Sequence, residues 1–126
     1  MPASSTLRRW VGLACRRRAH LVLRFVGTAE GRTLNRTYRG RDYATNVLTF
    51  VYSQRPVHAD IVICVPVVRA EARAQRKPFY HHLAHLVIHG ALHAQGHDHL
   101  TAQQAQVMET LERRLLARLG IPDPYA

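Results

Sequence analysis

HLVIHGALHAQGHDH, residues 85–99, holds five of the chain's nine histidines. His85, His89 and His93 recur at every fourth position, which places them on one face of a helix in neighbouring turns. Gly96 can adopt the left-handed conformation that ends a helix and turns the chain back. That turn brings His99 towards His89 and His93 as a third candidate metal ligand. Three neutral imidazoles leave a fourth position for water, the arrangement a catalytic zinc site needs.

The pattern His89-x-x-x-His93-x-x-Gly96-x-x-His99 matches the ligand spacing of zinc peptidases, with one departure. Position 90 is glycine, where those enzymes carry the glutamate that acts as general base. The stretch therefore reads as a metal scaffold without a peptidase base. His85 is expected behind the ligands or in the core. His81 and His82 are adjacent, share no face, and are expected on the solvated surface. His97 either lines the site or is exposed, and Asp98 either orients a ligand or caps the turn. His20 and His58 have no partner pattern.

Outward from this helix the coarse elements follow. Pro78 opens the histidine helix, a position proline favours. Thr101 begins the capping box TAQQ, and the helix it caps runs to about Leu119, where Gly120 and Pro122 stop it. Its Val107, Leu111, Leu115 and Leu119 are expected to face the core. Thr6 to about Cys15 and Pro66 to about Gln75 read as helices. Thr28 is expected to cap another through about Tyr38, ended by Gly40. His20–Val26, Asn46–Tyr52 and Asp60–Val65 read as strands, the last nearly continuous in apolar residues and so central in a sheet. The expected fold is α+β: one domain spanning residues 1–126, a small mixed sheet covered by helices.

The 126 residues carry 18 Lys+Arg against 8 Asp+Glu, a net charge of +10 with histidine neutral. All the basic residues except Lys77 are arginine, which binds phosphate through paired hydrogen bonds. A polyanion, most commonly nucleic acid, is the expected partner, and the arginine bias suits an RNA surface; an arginine-favouring composition is the plainer source of the same count. Arg36, Arg41 and the run Arg16–Arg18 are candidate phosphate contacts. No apolar run approaches the roughly 20 residues of a membrane span. The longest, residues 61–68, is interrupted by Pro66. Residues 1–29 lack acidic side chains, as transit peptides do, but read better as an amphipathic helix leading into a strand. Cys15 and Cys64 form no motif and fit buried positions in a reducing, cytoplasmic protein.

Three blocks carry a resemblance. HGALHAQGHDH (89–99) is similar to the signature HGxLHLxGYDH of the YbeY endoribonucleases, also called rRNA maturation factors. LNRTYRGRDYATNVLTF (34–50) resembles that family's LNxxYRGKDxPTNVLSF, and ADIVIC (59–64) resembles its GDIxIC. The blocks follow the family's order, and the likeness extends from about Leu21 to about Gly120. It implies a zinc-dependent, single-strand-specific endoribonuclease acting in maturation of the small-subunit (16S) rRNA 3′ end and in ribosome quality control. His89, His93 and His99 take the positions that hold one zinc ion, and Arg39 takes that of an arginine implicated in RNA cleavage. Oligomeric state is not implied.

The chain departs from the family pattern at His97 for tyrosine, at Ala94 and Gln95 for a bulkier pair, at Ala44 and Val51 for proline, and at Ala59 for glycine. It is also expected to lack an opening strand. None of these positions is a ligand. Asp60 is a candidate for orienting water, with strand capping its plainer role. Arg39 has a plainer role too, as a salt bridge or helix C-terminal cap. Two rival functions remain: a metallopeptidase, disfavoured by Gly90, and a non-catalytic RNA-binding assembly factor with a structural zinc. A fourth protein ligand, His97 or Asp98, would favour the latter.

Overall fold

The computed structural model describes residues 1–16 and 18–126. Its elements in chain order are α1 (Ser4–Ala14), β1 (Ala19–Val26), α2 (Thr28–Arg39), β2 (Val47–Gln54), β3 (Val57–Cys64), α3 (Val65–Ala74), α4 (Phe79–Ala94) and α5 (Ala102–Arg118). The three strands lie in the order β1-β3-β2. β3 runs parallel to β1 and antiparallel to β2, so the sheet is mixed.

The apolar run of β3 is central, as its sequence predicts, because both its faces are covered. Ile61 and Ile63 pack with Leu83, Val87 and Ala91 of α4 and with Trp10 of α1. Val62 and Cys64 point the other way and join Val26, Leu48 and Leu34 of α2. Successive residues of a strand face opposite sides, so one unbroken apolar segment serves two layers.

Helix α4 has ten buried residues among its sixteen, which marks a core helix rather than an amphipathic surface one. It lies so close to the sheet that a Cβ added at Gly90 would stand 2.8 Å from Ile61 Cγ2. Gly90 is therefore fixed by packing. A larger side chain there would be driven into the sheet, which gives the missing glutamate a steric reason.

Several expected positions shift. Pro78 is the residue before α4, not its first helical one. Thr28 is the first residue of α2 and makes no capping bond; Gly27 precedes it. Asp60 lies in the middle of β3 rather than at its start. On α5 the capping box forms as read, with Gln104 N–H donating to Thr101 Oγ1. Leu111, Leu115 and Leu119 pack against the core as expected, but Val107 is 52% exposed, and the fully buried positions are Met108, Glu112 and Leu116, one residue along. Cys15 and Cys64 are free, with Cys64 buried and Cys15 partly so. Among the described residues no helix is long and apolar enough to cross a membrane.

Replacing Gly90 by Ala separates propensity from packing. Alanine gains about 1 kcal/mol in a helix interior, whereas forcing extra volume into a packed core costs about 1–3 kcal/mol. Gly90→Ala is expected to lower the melting temperature of the wild type. In an Ile61→Ala background, where the opposing methyl is gone, the same change should be neutral or stabilising. Thermal melts of the four proteins check this.

Candidate active site

His89 and His93 stand one turn apart on α4 and line a cleft of about 370 Å³. The C-terminal end of α2 and the first residues of β2 form its other wall, through Asn35, Arg39 and Thr49, and the loop between them adds Arg41, Tyr43 and Thr45. His99 completes the lining. A larger hollow of about 630 Å³ lies between α1 and β1, but its walls are chiefly Leu7, Val11, Leu21, Leu23 and Phe25 and it gathers no titratable groups that could act together. The chemistry sits in the smaller cleft.

Gly96, with φ of +102°, supplies the turn that the spacing calls for. The His97 N–H closes it on the Leu92 carbonyl. The imidazole centroids are 6.4 Å apart for His89 and His93, 5.7 Å for His89 and His99, and 6.2 Å for His93 and His99. Three imidazoles on one zinc, with bonds of about 2.0–2.1 Å, would hold their centroids roughly 5 Å apart. The triangle is thus slightly wider than a closed site, and among the described residues no three donors already stand at metal-holding distance. The widest edge is His89–His93, so closing round an ion also turns those two rings; His99, with its side chain 57% exposed, is the least enclosed corner.

The other two rings are held from behind. His89 Nδ1 donates to Glu112 Oε1 at 3.0 Å, and His93 Nδ1 donates to the His97 carbonyl at 2.9 Å. A carbonyl and an ionised carboxylate only accept, so each Nδ1 carries the proton of the neutral ring. The Nε2 lone pair of each ring is then left for a metal. This donor chemistry, two oriented imidazoles and an exposed third, fits a zinc ion.

Glu112 is fully buried. Its carboxylate also accepts from His85 Nε2 at 3.0 Å and from the Tyr125 hydroxyl at 2.8 Å. Burial would raise the Glu112 carboxyl, but the bonds from His85 and His89 outweigh it and hold it at about 2, against an ordinary 4.5. Burial and the neighbouring carboxylate push the Tyr125 phenol up. The sequence reading missed Glu112. Its signal was a carboxylate four residues from both Met108 and Leu116, in the apolar stripe of α5.

On the opposite wall, Arg39 is exposed, and its Nη2 donates to the Thr49 carbonyl at 3.3 Å. Its only such contact is thus with β2; no ion pair engages it among the described residues. Asn35, 2% exposed, donates from Nδ2 to the Tyr43 carbonyl at 2.7 Å and fixes the loop. Arg32 grips Asp42 with two bonds of 2.8 and 2.9 Å and holds that carboxyl below its ordinary range.

The remaining expectations divide. His89, His93, His99, Arg39 and Arg41 share the cleft. His85 lies behind the site on Glu112. His82 is buried rather than solvated: its Nε2 meets Glu71 Oε1 at 2.9 Å, and Asn46 Nδ2 donates to the same oxygen. His97 gives its carbonyl to His93 and lines a separate hollow with Leu92, Leu111 and Arg114. Asp98 accepts from the His99 N–H in the turn, and the same Oδ1 stands 3.9 Å from Nδ1 of the His99 ring, so it lies beside both the turn and the candidate ligand. Asp60 accepts from the Tyr52 hydroxyl at 2.8 Å and is not among the cleft residues. His20 and His58, without a sequence pattern, meet edge to face across β1 and β3 with centroids 5.1 Å apart. Arg36 reaches towards Asp42, and Arg16 lies beside His97. Neither lines the cleft, and Arg17 falls outside the described residues.

A carboxyl whose pKa is depressed by folding contributes stability above its unfolded value and loses it as pH falls through the folded one. For Glu112 the contribution is of the order of 3 kcal/mol. Glu112→Gln keeps the shape without the charge. Its stability deficit against wild type should be full above pH 4.5 and shrink as pH falls towards 2. Urea unfolding with EDTA present, across that range, checks this; a constant deficit contradicts it.

A family model described as Endoribonuclease YbeY matches residues 5–120. A protein of Aromatoleum aromaticum named Endoribonuclease YbeY is 56% identical, over 99% of this chain and 82% of its own length. One of Ralstonia nicotianae with the same name is 55% identical, over all of this chain and 69% of its own. The solution structure of a Thermotoga maritima protein shares the fold, with a TM-score of 0.62 and 25% identity over 94% of this chain and 87% of that one. By both the family match and these relatives, the chain belongs to the YbeY endoribonuclease family.

Proposed function

We propose that this chain is a zinc-dependent endoribonuclease, that it cleaves single-stranded RNA in the cytoplasm, and that its substrate is the 3′ region of small-subunit rRNA precursors. The relatives' names support RNA as the substrate, and the net charge of +10 suits it. The observation that carries the metal reading is the orientation of His89 and His93. Each ring spends its Nδ1 proton on a fixed acceptor and keeps Nε2 free.

In this reading His89, His93 and His99 hold one zinc ion. When bound, the ion supplies positive charge beside a phosphoryl oxygen and lowers the pKa of nearby water. The chain's own groups do the rest. Glu112 keeps the His89 proton on Nδ1 and stops the ring from turning. Arg39 presents its guanidinium from the facing wall, positioned by the Thr49 carbonyl, where it can bind phosphate oxygens and offset the charge that grows on them during cleavage. Arg41 adds a second cation to the cleft lining.

Neither rival reading draws support from the site. Position 90 faces Ile61 and offers no place for a peptidase base. Neither His97 nor Asp98 is among the cleft residues, and the Asp98 carboxylate accepts from the His99 N–H, so neither lends support to a fourth ligand.

The test is cleavage of a small-subunit rRNA 3′ precursor by the purified protein. Activity is expected in the wild type, its loss on chelation, and its return with zinc. His99→Ala should be inactive yet folded. Arg39→Ala should keep its metal and lose about 10²–10³-fold in kcat, the usual effect of removing one group that stabilises transition-state charge. Equal activity in wild type and His99→Ala would overturn the ligand assignment. No cleavage of any RNA by the zinc-loaded wild type would turn the reading towards an assembly factor.

A further inference from the structure

Within the cleft one side chain has no part in the chemistry above. Tyr43 is the single Phe, Tyr or Trp among its lining residues, and it is 51% exposed. Exposed tyrosines are ordinary when scattered, and two others show the difference. Tyr38 spends its ring on Phe50, with centroids 5.3 Å apart, and Tyr52 gives its hydroxyl to Asp60. Neither lines the cleft.

Tyr43 sits on backbone that is fixed on both sides of its Cα. Asp42 is gripped by Arg32, and the Tyr43 carbonyl is held by the buried Asn35. Neither anchor uses the Tyr43 ring. The ring's one polar contact is with Arg41, whose Nη1 donates to the phenol oxygen at 3.2 Å. An anchored loop, a half-exposed aromatic ring and two guanidiniums of the same cleft, Arg39 and Arg41, form the pairing that binds single-stranded nucleic acid: a ring for a base and cations for the phosphates on either side.

We propose that Tyr43 is a substrate-binding residue: its ring stacks on an unpaired nucleobase beside the phosphate held over the histidines. A base inside a duplex has both faces covered by its neighbours, so this contact favours single-stranded RNA. The proposal rests on the endoribonuclease reading for the identity of the substrate. Because the loop's anchors are independent of the ring, Tyr43→Ala should fold and melt as the wild type does.

The test uses cleavage and binding side by side. Cleavage is followed on a single-stranded RNA. Binding is followed by fluorescence anisotropy on a 2′-O-methylated oligonucleotide of the same sequence, intact or with one abasic position moved along it. Tyr43→Ala is expected to raise KM and weaken binding by about 10-fold, within the range of aromatic–base stacking, with kcat unchanged. Tyr43→Phe, which keeps the ring and loses the Arg41 bond, should match the wild type. At one abasic position the wild type should fall to the level of Tyr43→Ala, and the variant should lose nothing more.

Undiminished binding by Tyr43→Ala overturns the proposal. So does a Tyr43→Phe as impaired as Tyr43→Ala, since the hydroxyl would then be the functional part. Losses that add at every abasic position overturn it as well, and so does a wild type that binds no oligonucleotide. A wild type that binds but cleaves no RNA refutes the endoribonuclease reading alone, and the anisotropy series still decides Tyr43.

Discussion

A carboxylate taken out of water must be paid for with hydrogen bonds, and Glu112 has donors from three residues: His85, His89 and Tyr125. Two lie on α4 and the third on the C-terminal segment, so one side chain fixes how α5 and the tail seat against the histidine helix. The same bond that stabilises this packing also determines where His89 carries its proton. Stability and ligand chemistry therefore depend on one group. Any change that loosens α5 would be felt in the cleft, although α5 contributes no side chain to the cleft wall.

The sheet imposes a second constraint, from the other side of α4. β3 has no exposed apolar face to spare, because Ile61 and Ile63 meet α4 while Val62 and Cys64 meet the layer that contains α2. With α4 pressed against Ile61, the histidine face is presented at a fixed depth below the end of α2 and the start of β2. Arg39 reaches the same cleft because α2 ends there, and its contact with the Thr49 carbonyl ties the facing wall to the sheet. The cleft is thus a gap between two elements that pack on the same strands.

What could be read from the sequence was what local geometry controls. The four-residue spacing of His89 and His93, the turn at Gly96, the capping box at Thr101 and the central apolar strand all follow from helical or extended periodicity and from caps. The features that escaped depend on partners distant in the chain. Glu112 looks like a surface residue until the side of α5 that faces α4 is known, and Val107 shares the spacing of Leu111, Leu115 and Leu119 yet lies beyond the reach of the core they pack on. His82 is buried because Glu71 of α3 and Asn46 reach it, and His20 meets His58 only through the parallel register of β1 and β3. The place of Arg39 in the cleft came from resemblance to a family motif; its spacing alone equally allowed a helix cap.

The tight approach of Gly90 to Ile61 also bears on how this histidine pattern can diverge. Glycine and glutamate codons can differ by a single nucleotide, so a chain with these ligands is one mutation from the complete peptidase signature. In this fold that mutant would not inherit peptidase chemistry, because the new carboxylate would enter the sheet instead of the cleft. The packing acts as a barrier in sequence space: from this fold the full peptidase signature is not reached in function without first rebuilding the layer beneath the helix.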